Sequence, residues 1–155
     1  MPHIPETTDE KEWHRYFAMD SNNRAWELSV VPRSSSEDLE MLNAAHAAAL
    51  HWSVVGEQIH NMRAKLLLAE VHALLGFGDS AFALATEARG YFLVQETPDW
   101  EIAYAHTIHA HAAWSSNNTE TYERSYQEAQ RAIDKISDAE DRAVVLKTFN
   151  QISTP

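Results

Sequence analysis

Residues 58–80 read QIHNMRAKLLLAEVHALLGFGDS, and the order of residue types in this run decides the fold. Ile59, Met62, Leu66, Ala69 and Ala73 recur at spacings of three and four, with Leu67, Val71 and Leu74 beside them. That period belongs to one face of an α-helix and not to a strand. The helix is expected over about residues 57–75, with Gly76 as its left-handed terminator. After Gly78, Asp79 or Ser80 can cap a further helix that reaches about residue 96 and carries Phe82, Ala85, Ala88 and Phe92 at core spacing. Two helices joined by a tight turn are thus the unit from which the rest is read.

The same pattern extends in both directions. A first helix is predicted from Thr8 or Asp9 to about Val31, where Pro32 stops it. Its stripe Tyr16, Met19, Asn23, Trp26, Val30 is interrupted by the polar run 20–23, and the segment is read as one helix through that run. Ser34 and Glu37 have the spacing of a capping box, which opens a second helix over about 36–55, with Leu39, Leu42, His46, Ala49 and Leu50 assigned to its buried side. Beyond Pro98 three more helices are expected, over about 99–114, 119–136 and 138–152. The four Gly and five Pro stand mainly between these segments or at the termini, where helix breakers belong. The expected class is all-α, with about seven antiparallel helices in a single domain over 1–155 and residues 1–7 as a disordered tail.

Composition narrows the function. Lys and Arg total 12 against 23 Asp and Glu, a formal charge of −11. Such an acid surplus repels phosphate backbones and anionic headgroups, so neither nucleic acid nor a membrane surface is an expected partner. The absence of Cys removes disulfides, thiolate metal sites and thiol nucleophiles. The polar, acidic N-terminal stretch does not have the form of a signal peptide, and a cytoplasmic location is the expectation.

Sliding the chain by 34 residues aligns Leu68 with Ile102, Ala69 with Ala103, His72 with His106 and Ala73 with Thr107. Helix pairs of this kind complete their core by stacking on the next pair. With Leu68, Ala69, His72, Gly76, Ala81, Ala85 and Ala88 in comparable places, the chain resembles the tetratricopeptide repeat, best over 58–136. His72 stands where that pattern usually has Tyr. The resemblance implies a right-handed α-α superhelix that presents a groove. Trp13, His14, Arg15 with Phe17, then Asn22, Asn23, Arg24 with Trp26, Ala45, His46, His51, Trp52, and Asn61, Arg63, Ala64 with Leu67 and Leu68 also resemble a group of small bacterial helical proteins. That likeness implies a short tetratricopeptide-like array and no particular activity.

Three readings of function follow. The leading one is a non-enzymatic module that binds a protein or peptide, without cofactor, through a groove bearing Asn23, Arg24, Trp26, His51, Trp52, Asn61 and Arg63. Arg forks suit carboxylates and Asn amides suit extended backbone. Arg63 with Glu70, and Arg24 with Asp20 or Glu27, are also spaced to form structural ion pairs. The alternative is a metal-binding protein or metal-dependent helical enzyme using His72, His106 and His109, since nine His offer ligands. The third is a self-associating structural protein whose partner is a second copy. The clustered acids at 37–40 and 138–141 open helices, where they complement the dipole, and no glycine pattern builds a phosphate loop or nucleophile elbow.

Overall fold

The computed structural model describes all 155 residues and contains seven α-helices and no strand. They are α1 (Glu10–Ser29), α2 (Ser35–Val55), α3 (Gln58–Leu74), α4 (Gly78–Leu93), α5 (Asp99–Ser115), α6 (Thr119–Asp134) and α7 (Ala139–Phe149). Side-chain chemistry explains most of the starts. Asp9 accepts from the Lys11 amide, the Ser34 and Glu37 capping box is formed, and Asp138 accepts from the amides of Glu140 and Asp141. Gly76 takes φ of 81°, the left-handed terminator that the sequence required. α1 runs unbroken through Asp20–Asn23.

α4 starts differently from expectation. It begins at Gly78 without a side-chain cap, and the Ser80 hydroxyl instead donates to the Phe77 carbonyl. The cause is contact with the turn between α5 and α6: Gly78 lies directly against the backbone of Ser115 and Ser116. Only a residue without a Cβ permits that approach.

Each helix packs on its neighbours in sequence, and α1 also meets α3, α3 meets α5, and α5 meets α7. α5 is therefore surrounded by α3, α4, α6 and α7, and its residues from Ala103 to Ala113 are all buried. Alanines at 103, 105, 110, 112 and 113 let those four helices come close. One apolar cluster spans α3 to α7, and a smaller one joins α1, α2 and α3.

The buried side of α2 corrects the sequence reading. Met41, Ala45 and Ala48 face inward, whereas His46 is exposed and Leu39 and Leu50 are 59% and 63% exposed. α2 is apolar around most of its circumference, so spacing alone does not single out a face. The face carrying two alanines is the one that allows close approach to α1 and α3.

Candidate functional site

The helices that contact one another in the series α1, α3, α5 and α7 enclose a groove with a volume of about 790 Å³. α1 contributes Met19, Asn22, Asn23 and Trp26, while α3 contributes His60, Arg63 and Leu66. Trp100, Glu101 and Tyr104 come from α5, Val144 and Lys147 from α7, and Trp52 from the end of α2. Pro2, ahead of α1, sits on its edge. The polar run of α1 thereby acquires a reason. Asn22 and Asn23 face the groove one turn from Trp26, so they interrupt the apolar stripe without costing buried contacts.

The walls are aromatic. Trp26 and Trp100 both meet Tyr104, at ring-centroid distances of 5.3 and 6.2 Å, and the Tyr104 hydroxyl donates to the Val144 carbonyl at 3.2 Å. Burial pushes the Tyr104 phenol above its ordinary pKa, which keeps it a neutral donor. Trp52 stacks on His60 at 4.6 Å. The Glu57 amide donates to His60 Nδ1, so Nε2 is left as the second ring nitrogen with its proton when the ring is neutral.

One ion pair dominates the electrostatics. Arg63 Nε and Nη2 donate to the two oxygens of Glu101 at 2.5 and 3.1 Å, with the carboxylate 3% exposed and the Arg63 side chain 43% exposed. The hydrogen bond to Glu101 raises the guanidinium pKa further, so its charge is permanent. Nη1 makes no bond within the chain. Lys147 is a second cation on the opposite helix, and unlike Arg63 it has no ion-pair partner. This reverses the sequence pairing of Arg63 with Glu70: Glu70 is fully buried and bound instead by His111 Nδ1 at 2.9 Å.

Of the residues singled out from sequence, Asn23, Trp26, Trp52 and Arg63 line the groove, and Arg24, His51 and Asn61 do not. Arg24 pairs with Glu40 across α1 and α2 at 2.6 Å and approaches Glu27 at 3.8 Å. His51 lies beside Phe17 and shares a hydrogen bond with His14 at 2.8 Å. Nor do His72, His106 and His109 converge. His72 bonds Ser80, His106 stands 3.3 Å from Glu128, and His109 is held by Ser125 at 2.8 Å and Thr86 at 3.2 Å. No three potential ligands among His, Asp and Glu are grouped as a metal centre. Shared repeat positions and helical spacing do not bring His72, His106 and His109 to one point.

Comparison with known protein families, curated proteins and solved structures finds no match. The site is therefore read from its own chemistry. It offers apolar walls, a guanidinium held in place by Glu101, the side-chain amides of Asn22 and Asn23, and the cations Arg63 and Lys147 beside the carboxylates of Glu27 and Glu101, a set able to hold an extended ligand that carries a carboxylate by noncovalent contacts. The hydrogen-bonded Ser125 and His109 pair is 1% and 3% exposed, and neither residue lines the groove. No helix is long and apolar enough to cross a membrane.

Sequence reasoning missed Trp100, Glu101, Tyr104, His60 and Lys147 as groove residues. One signal for them was present: the 34-residue shift that aligns Leu68 with Ile102 also aligns Leu66 with Trp100, and both line the groove.

Proposed function

We propose that this chain is a protein- or peptide-binding module of tetratricopeptide-like architecture, a right-handed superhelix of antiparallel helices whose groove receives an extended segment ending in a free carboxylate. The contacts of α1 with α3, α3 with α5 and α5 with α7 support the superhelix, because alternate helices forming one layer is how stacked helical pairs build an inner surface. The observation that carries the ligand class is Arg63: the buried Glu101 carboxylate fixes the guanidinium, and its Nη1 edge is free on the groove wall. A pre-oriented fork loses little freedom on binding, and Asn22 and Asn23 can satisfy the amides of an extended backbone. Trp26, Trp52 and Trp100 supply apolar area for side chains.

The reading is tested by titrating the protein with arrayed peptides that end in a free α-carboxylate and with the same peptides amidated, following intrinsic Trp fluorescence. Binding that weakens at least tenfold on amidation and on Arg63→Ala supports it. Peptides that bind equally in both forms, or none that bind, would refute it.

A further inference from the structure

We propose that His46 of α2 and His72 of α3 form a two-imidazole site for a divalent transition-metal ion, with Zn²⁺ held tetrahedrally and its remaining positions filled by water. Their Nε2 atoms are 3.4 Å apart. Two nitrogens each about 2.0–2.1 Å from zinc and subtending a tetrahedral angle are separated by about 3.3–3.4 Å. The rings are therefore already at the bite distance of such an ion.

The far ring nitrogen of His72 is supported: its Nδ1 lies 2.6 Å from the Ser80 hydroxyl, which also reaches the Phe77 carbonyl at 3.1 Å. The ion would bind the tautomer in which Nδ1 donates to the Ser80 oxygen and Nε2, on the His46 side, is bare. A hydrogen-bonding partner on the far ring nitrogen is the support that metal-bound histidines commonly have. His72 is half-buried between α2 and α4. His46 is exposed, so water has access to complete the coordination.

The other imidazole pair behaves differently. His14 and His51 meet at 2.8 Å through their Nδ1 atoms, an ordinary N–H···N distance, and that pair is read as a hydrogen bond that ties α1 to α2. The His46 and His72 contact, at 3.4 Å, is a longer and weaker hydrogen bond, which an ion entering between the two nitrogens would replace. Neither His46 nor His72 lines the groove, so this site is independent of the peptide reading.

Calorimetric titration of tag-free protein with ZnCl₂ tests the proposal, with folding of every variant checked by circular dichroism. One ion per chain is expected to bind saturably. His46→Ala, at an exposed position, is expected to weaken that uptake at least tenfold without disturbing the fold, and Ser80→Ala to weaken it about tenfold by removing the hydrogen bond at His72 Nδ1. His14→Ala is expected to leave it unchanged, and added Zn²⁺ is expected to raise the Tm of the wild type but not of His46→Ala. No saturable uptake by the wild type, uptake that survives His46→Ala, or uptake lost with His14→Ala would overturn it.

Discussion

Glu101 on α5 and Arg63 on α3, 38 residues apart in sequence, meet in a two-point ion pair in which the carboxylate is buried and the guanidinium is open to the groove. The pair is asymmetric in consequence. Glu101 has surrendered water and depends on Arg63 for compensation, whereas Arg63 retains solvent on its Nη1 side. The same contact thus joins two layers of the fold to the candidate site.

Removing each partner separately is expected to expose that asymmetry. Arg63→Met leaves a buried carboxylate without its counter-charge and is expected to cost about 2–3 kcal/mol, below the full value for a buried pair because Arg63 is partly solvated. Glu101→Gln keeps a hydrogen-bond acceptor for a half-exposed guanidinium and is expected to cost about 1 kcal/mol. Urea unfolding of both variants measures the difference. Equal losses would mean that the pair is exposed on both sides.

How much of this could be read in the chain differs between fold and site. The seven helices follow from caps and breakers that act within a few residues, as at Ser34 with Glu37 and at Gly76, and such local signals survive folding unchanged. Which face of α2 is buried was not legible, because Leu39, Ala45 and Leu50 are all apolar and only the approach of α1 and α3 selects among them. The partner of Arg63 was hidden for a related reason. Glu70 is nearer along the helix, but it is drawn to His111 in the core while Glu101 arrives from a helix whose placement no local pattern encodes. Trp26 and Asn23 were legible as a stripe, but whether that stripe meets core or groove depends on α3 and α5.

The Glu70 and His111 pair is the most deeply buried charged contact, with the carboxylate 0% and the imidazole 3% exposed. Burial disfavours the imidazolium, but the charge and hydrogen bond of Glu70 outweigh it and raise the His111 pKa. Glu70→Ala alone is expected to destabilise by about 3–5 kcal/mol, whereas the double replacement Glu70→Leu with His111→Leu is expected to recover most of that loss. A double-mutant cycle in urea checks it; additive losses would show that the two residues are not coupled. Since the folded pKa is raised, the stabilisation is complete below about pH 6.5 and declines as pH rises through the folded value.

His109 sends the pH dependence the other way. Burial, then the charge of Arg89, hold its pKa down to about 4. The native protein keeps this ring neutral while the unfolded chain protonates it near pH 6.5. Stability is therefore present above pH 6.5 and is lost as pH falls toward 4, reaching about 3 kcal/mol for this group alone. His106, shifted downward first by burial and then by Arg89, adds in the same direction. Chemical denaturation at intervals between pH 7 and pH 4 should show the decline, and His109→Gln should flatten it. An acid limb with the same slope in that variant would place its origin elsewhere.

Two glycines in α4 are expected to respond in opposite ways to alanine. A Cβ on Gly90 meets no atom within 4 Å, and the residue lies inside the helix, where glycine costs about 0.5–1 kcal/mol relative to alanine. Gly90→Ala is accordingly expected to stabilise by about that amount, because it reduces the freedom of the unfolded chain without a contact to disturb. At Gly78 the added carbon would collide with the Ser115 carbonyl and the adjoining backbone of Ser116. Those atoms belong to the end of α5 and cannot rotate aside as a side chain can, so the start of α4 must move away from α5. That movement also pulls on Ser80, whose hydroxyl orients His72. Gly78→Ala is therefore expected to lower the Tm, and Gly90→Ala to raise it, in the same thermal scan. Equal tolerance at both positions would mean that α4 and α5 do not approach as closely as their backbones are placed.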